Sequence, residues 1–510
     1  MDTIRSFKGY GKVDPAEEQA FRRKTRKRLI ILTVSVVLLL VVIIGAVAGT
    51  LIHKRNNSND SDVQGSNSAA QSIKAVCSQT LYPESCYRSI SDLDKNGTSD
   101  PEELLKLSLQ VVLNSLSELS SLPDGFEKMT TNETVRKALN VCQTVLDDAV
   151  DYLRDSISSM EVNSGEKLLT GTKIDDLKTW LSTAITNQET CLDALEEMNS
   201  TFVTETKSRM QNSTEYASNS LAIVSKISGI LGKLNIPIHR KLLSEPEAEF
   251  PEWVSGGVRR LLQTGRPTPN VTVAGDGTGD VRTIREAIAM VKKKDTSMFV
   301  IYIKAGVYTE NVVLDKSFWN VMIYGDGKDM SIVSGDLNFV DGTPTFSTAT
   351  FAVAGKGFIA IDMGFKNTAG AAKHQAVAFR SGSDFSVFYR CSFDAFQDTL
   401  YAHSNRQFYR ECDITGTIDF IFGNAAVVFQ NCNILPRQPL ANQFGVDPPA
   451  SIFYGEYMNT GPGAGVDKRV KWAGYKANLA SKDASRFTVG SFIEGSMWLP
   501  KTTVVFDSSL

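Results

Sequence analysis

Apolar residues are distributed along the chain in three textures. Residues 29–52 are almost unbrokenly apolar, from Leu29 to Ile52. At ~1.5 Å per residue a helix of that length crosses a ~30 Å hydrocarbon core. From 71 to 235 apolar residues recur at helical spacing. Leu104, Leu105, Leu107, Leu109, Val112, Leu113 and Leu116 make one stripe, and Val141, Val145, Ala149 and Leu153 another. Asp100-Pro101-Glu102-Glu103 marks a helix start, with Asp100 as cap and Pro101 in the first turn. Gly and Pro are scarce inside these runs, and the pattern predicts an antiparallel four-helix bundle. From about 268 short β-rich runs alternate with Gly, Asp and Asn, as in Met298–Ile303, Val321–Tyr324 and Phe358–Ile361. Phe388-Tyr-Arg-Cys391, Phe408-Tyr-Arg-Glu-Cys412 and Phe429-Gln-Asn-Cys432 recur about every 20 residues. That period predicts a parallel β-solenoid in which each coil stacks on the last, with an antiparallel sandwich as the competing reading.

Composition changes this picture only locally. The net charge of -3 over 510 residues argues against a nucleic-acid partner. Arg22, Arg23, Lys24, Arg26, Lys27 and Arg28 crowd the N-terminal side of the apolar run, against Lys54 and Arg55 after it. By the positive-inside rule, 1–28 is a cytosolic tail, 29–52 a transmembrane signal-anchor, and the rest luminal. A cleaved signal peptide is the alternative, but the run is long for one and lacks a clear Ala-x-Ala exit. Residues 53–70, rich in Ser, Asn and Asp, read as a flexible stalk. Luminal export gives meaning to glycosylation sequons at Asn56, Asn59, Asn96, Asn132, Asn199, Asn212 and Asn270. It also permits disulfides. The short Cys77–Cys86 gap favours a local bridge, after which Cys142 and Cys191 would tie two helices. Four cysteines allow three pairings. Residues 236–265 form a linker with two dibasic sites, Arg240-Lys241 and Arg259-Arg260, each followed by Leu-Leu, which suit proteolytic processing.

The candidate chemistry lies in the β-rich part, residues 266–510. Asp398 and Asp419 are one coil apart, so a solenoid stacks them ~5 Å apart on one face. Two carboxylates that close split their pKa values, leaving one as general acid and the other ionised. Gln375 precedes Gln397 by one coil and places two amides beside them. The four residues offer a nucleophile, an acid/base and a cradle for an oxyanion. A plain polar ladder on a solenoid is the alternative. His374 and His403 are the only histidines of this part, and there is no Gly-x-Ser-x-Gly elbow. A Ser-His-Asp hydrolase is therefore not expected, and the two histidines read as structural. No ligand set for a metal stands out, and no cofactor is expected.

These residues resemble plant pectin methylesterases. The matching motifs are Gly364-Phe-Lys-Asn-Thr-Ala-Gly370, His374-Gln375-Ala-Val-Ala, Phe396-Gln-Asp-Thr-Leu-Tyr401, Gly416-Thr-Ile-Asp-Phe-Ile-Phe-Gly423, Tyr454-Gly-Glu-Tyr-Met-Asn-Thr-Gly-Pro-Gly463 and Lys468-Arg-Val-Lys-Trp472. The front half resembles the family's inhibitor domain through Cys77, Tyr82-Pro83, Cys86, Trp180-Leu-Ser-Thr-Ala and Thr190-Cys191. The resemblance implies a proenzyme: an inhibitor-like pro-region, then a right-handed parallel β-helix of the pectin lyase type. Its activity would be hydrolysis of methyl esters of cell-wall homogalacturonan, releasing methanol and pectate. Asp419 would be the nucleophile and Asp398 the acid/base. Gln397 and Gln375 would steady the intermediate, and Thr345 would contact substrate. Cys412 and Cys432 would form a disulfide, leaving Cys391 free. A subtilisin-like protease would cut the linker and release the enzyme to the wall, and the bundle would contact its own or another enzyme's β-helix. One departure stands out. The family's Gly-Arg-Pro-Trp motif has no counterpart, because Phe444 runs straight into Gly445-Val-Asp-Pro-Pro. About three coils are missing there, at ~20 residues per coil. Their Arg would have paired with Asp419, so the resemblance also allows an inactive chain that acts through its inhibitor-like bundle.

Overall fold

The computed structural model describes residues 64–160, 169–233, 266–440, 452–502 and 504–510. The expected tail and membrane span, Asn56 and Asn59, the dibasic sites Arg240-Lys241 and Arg259-Arg260, and the Phe444–Gly445 seam lie outside them. Among the described residues no helix is long and apolar enough to cross a membrane. The bundle and the β-rich part belong to one compact unit, Ala69–Leu510.

Among the described residues seven helices form the front half: α1 (Gln64–Cys77), α2 (Pro83–Leu93), α3 (Pro101–Leu119), α4 (Leu122–Glu127), α5 (Glu133–Ser159), α6 (Gly171–Glu197) and α7 (Val203–Lys233). α1 begins inside the stretch read as stalk, because its apolar spacing (Ala69, Ile73, Val76) starts before residue 71. Starts are set by side-chain caps. Asp100 accepts from the Glu102 amide at 3.1 Å, Asn132 from Thr134 at 3.0 Å and Thr170 from Lys173 at 3.2 Å. The stripe read from α3 is the buried face, with Leu104, Leu105, Leu109, Val112 and Leu116 fully enclosed. α3 packs on α5 and α7, and α6 packs between α5 and α7. Disulfides join Cys77 to Cys86 and Cys142 to Cys191, with Cα atoms 5.6 and 4.3 Å apart.

Among the described residues, Val271–Pro436 form a parallel β-helix of three sheets, with seven, five and six strands, followed by a small two-stranded sheet and short helices. Each coil contributes one strand to each sheet, so residues one coil apart stack. Phe388, Tyr409 and Phe429 occupy one such position, with ring centroids 4.4 and 4.8 Å apart. Phe351 and Phe379 occupy another at 5.5 Å. These ladders build the core that the repeat announced.

Cys391, Cys412 and Cys432 form a third ladder, since Ser392, Asp413 and Asn433 beside them are in register. All three are free thiols, which corrects the expected Cys412–Cys432 bridge. Stacked side chains run parallel at the ~4.8 Å strand spacing, wider than the ~3.8 Å Cβ separation of a disulfide. Each sulfur lies near backbone carbonyls, as Cys412 does to Phe388 (3.4 Å) and Arg410 (3.3 Å), and the Cys412 thiol also meets those of Cys391 and Cys432.

The last strands of the three sheets are Ile421–Phe422, Ala426–Gln430 and Asn433–Pro436. Their side chains are half-buried or exposed, with Ile434 and Leu435 each 47 % exposed. Among the described residues the solenoid therefore ends on a half-exposed coil, just before the seam after Phe444. Part of that end is covered from the C-terminus, where Phe506 meets Phe408 and Asp507 bonds Gln430.

Candidate active site

The site is built by three consecutive coils. Leu400 pairs with Phe379 on one side and Ile421 on the other, so Asp398 and Asp419 fall in register. The Asp398 amide donates to the Ile418 carbonyl at 3.1 Å. Gln375 and Gln397 form an isolated parallel bridge one position away. Both aspartates turn the chain in the left-handed region, Asp398 at φ 63° and Asp419 at φ 48°. This conformation costs a non-glycine residue on the order of 1–3 kcal/mol and is held by the coils on either side. Gly423, four residues on, has φ 118°, and a Cβ there would stand 2.0 Å from the Ala402 carbonyl oxygen. Only glycine closes that turn.

Their environments differ. Asp398 is 7 % exposed. Burial pushes its carboxyl well above the ordinary range, helped by the charges of Asp419 and then Glu197. Its protonated form is thereby favoured. Asp419 is half-buried and is raised by burial alone. Among the described residues no cation pairs with it, in keeping with the missing Arg. His403 is buried and pushed down to about 3, chiefly by burial and then by Arg380, so it is a neutral imidazole and no base.

Helix α6 lies across these coils; a contact of the bundle with its own β-helix was implied by the resemblance, but not the helix that makes it. Trp180 donates to Asp384 (3.2 Å), Thr183 to Asn405 (2.8 Å), and Asn424 donates to Thr186 (2.8 Å). Thr190 meets His403 Nε2 at 2.9 Å. Glu197 ends the row, its Oε2 accepting from the Thr345 amide at 2.8 Å. These positions follow at three-, four- and seven-residue steps, one face of a helix. α5 adds Tyr152 to the Gly382 carbonyl (3.3 Å) and Asp148 and Asp151 to Lys316 (3.3 and 3.1 Å). Phe346, on the β-helix, packs into the bundle core and meets Tyr401 and His403 edge-on. Arg380 lies 3.4 Å over its ring. Thr345, expected at substrate, is thus beneath the bundle. Asn132, Asn199 and Asn212 lie on the bundle and Asn270 at the first β-strand, Val271–Val273; Asn96 precedes α3.

Comparison with known proteins decides the family. The pectinesterase description matches residues 270–447 and 445–496, and that of the plant invertase/pectin methylesterase inhibitor matches 71–223. Pectinesterase 1 of Arabidopsis thaliana is 51 % identical over 99 % of this chain and 99 % of its own length. The chain belongs to the pectinesterase family. Pectinesterase 3 of Phaseolus vulgaris is 51 % identical over the whole of both chains. The solved pectin methylesterase from carrot is 41 % identical, covering 49 % of this chain and 100 % of that one, at a TM-score of 0.44. The pectinesterase match breaks at 445–447, where the sequence jumps. The Arabidopsis alignment takes 582 positions against the chain's 510 residues, leaving at least 72 without a counterpart here. The chain thus lacks positions that this relative has, and the family match changes segment at the same seam.

Proposed function

We propose that the chain hydrolyses methyl esters of pectin through Asp419 and Asp398, and that its structure is the closed proenzyme. The observation that carries the reading is the in-register stack of Asp398 on Asp419 beside the Gln375–Gln397 bridge. Asp419, ionised, attacks the ester carbonyl, and the amides of Gln397 and Gln375 receive the developing oxyanion. Neutral Asp398 gives its proton to the departing methanol. The Asp398 carboxylate so formed then takes a proton from water, which cleaves the acyl-Asp419 bond and restores both groups. Lack of a cation beside Asp419 makes it a more basic carboxylate, ionised only at higher pH than a paired one.

Closure is supported by the row from Trp180 to Glu197, which buries Asp398 and Thr345 beneath α6. Substrate then needs the bundle displaced, and the linker with Arg240-Lys241 and Arg259-Arg260 is where a subtilisin-like protease would cut. A membrane-held precursor, then a wall enzyme, is the route these segments support. The test is methanol release from methylated pectin by full-length protein before and after linker cleavage, beside Asp419→Asn. Release only after cleavage, abolished by the substitution, supports the reading. Equal release before and after defeats the closed state, and release by Asp419→Asn defeats the assignment.

A further inference from the structure

One end of the α6 contact is ionic. Arg406 is buried, and carboxylates from three separate parts of the chain converge on it. Asp384, from the β-helix, takes hydrogen bonds from Nε (3.0 Å) and Nη2 (2.7 Å). Asp176, on α6, stands 2.8 Å from Nη2, without hydrogen-bond alignment. Glu494, which caps the short C-terminal helix Gly495–Trp498, stands 3.1 Å from Nη1. The side-chain exposures are 3 % for Arg406 and Asp384 and 22 % for Asp176 and Glu494.

One guanidinium charge cannot offset three carboxylates in such a place. Asp384 also accepts from the Arg406 amide and the Trp180 ring N–H, so of the three acids it is the one tied most tightly to donors. A proton in this cluster therefore rests on the α6 or the C-terminal acid. Asp175, which forms an ion pair with Lys178 at 2.9 Å, is a second α6 acid beside Glu494. Glu494 therefore faces Asp175 and Asp176 from α6 and Arg406 and Asp384 from the β-helix.

We propose that Glu494 is the proton-dependent member of this clasp: neutral, it lets Asp176 dock on Arg406 and holds the bundle over the cleft; ionised, it repels Asp175 and Asp176 and loosens the bundle. The inference rests on the reading that the bundle covers the active site. Burial first, and then Asp175, raise Glu494 from 4.5 to about 7, and burial raises Asp176 as well. A carboxyl raised in the docked state gives stability that is complete below about pH 4.5 and is lost as pH climbs to about 7. Each pKa unit is tenfold in an equilibrium. Glu494 is partly open to water, so on the order of tenfold is expected rather than the several-hundredfold the full shift would give.

The test uses the full chain with spin labels carried on unnatural amino acids, which leave the three native thiols unlabelled, at the exposed positions Met129 and Met290, one on the bundle and one on the β-helix. Pulsed electron spin resonance reads the distance between them at pH 5 and pH 7.5. A single narrow distance is expected at pH 5. At pH 7.5 the docked-to-undocked ratio should fall about tenfold, while Glu494→Gln, a neutral stand-in for the acid, should keep the narrow distance. An equal fall in Glu494→Gln, or no fall in the parent, overturns the proposal. A broad distribution at pH 5 in both would instead defeat the closed reading itself, and the proposal with it.

Discussion

Cutting the hydroxyl contacts of α6 should open the cleft by an amount that can be worked from the structure. In Thr183→Val with Thr190→Val, the Asn405 side-chain carbonyl and His403 Nε2 lose their partners across the interface. Leaving a buried polar atom unpaired costs ~1–3 kcal/mol. Each hydroxyl also faces a carbonyl four residues back in its own helix, at 3.0 Å for Thr183 and 2.9 Å for Thr190. Its single proton is shared, so ~1 kcal/mol each is the fair figure. The two sites are two helical turns apart, on the order of 10 Å, and should add. The total of ~2 kcal/mol is a ~30-fold shift toward the open form. The assay is methanol release by uncut protein divided by release after linker cleavage. That ratio should rise toward 30-fold in the double variant, with the cut enzymes equal. An unchanged ratio, with the cut variant fully active, would show that α6 does not gate the cleft.

Other expectations follow from the same coordinates. Asp419 is raised by burial and must be ionised to attack, so activity should climb with pH through a midpoint above the ordinary carboxylate value of 3.8; kcat/KM profiles of the cut enzyme with a midpoint at or below that value would refute it. His403, held near 3 against an ordinary 6.5, binds its proton only on unfolding, so it contributes stability above pH 6.5 that is lost as pH falls toward 3. Urea midpoints at pH 7 and pH 4 should converge in His403→Gln relative to the parent. Thiol titration of denatured, unreduced protein should find three thiols, since four of seven cysteines are bridged; one thiol would restore the Cys412–Cys432 bond.

The coil repeat made the catalytic stack legible, because one period places Gln375, Gln397, Asp398 and Asp419 without knowledge of any other contact. The helical stripes of α3 and α5 were legible for the same reason, their core positions being set by local spacing. The thiol ladder was misread because a resemblance supplied a pairing that stacked, parallel side chains do not favour. The docking face of α6 could not be read. Thr183, Thr186 and Thr190 look like the solvent side of a helix until a partner some 220 residues away covers them. Glu197 and Arg406 were missed on the same ground, since charged side chains on an amphipathic pattern signal water. The seam after Phe444 was legible only against relatives, and its physical trace is the half-exposed last coil.

The central claim is that Asp419, stacked on Asp398 and lacking a cation, still acts as the nucleophile. It is tested most directly by methanol release from highly methylated pectin by linker-cut protein, with Asp419→Asn alongside and circular dichroism to establish that both are folded. The account predicts release by the parent and a loss on the order of 10³-fold or more in the substitution. Folded parent protein that releases no methanol, or a variant that releases as much, would contradict it.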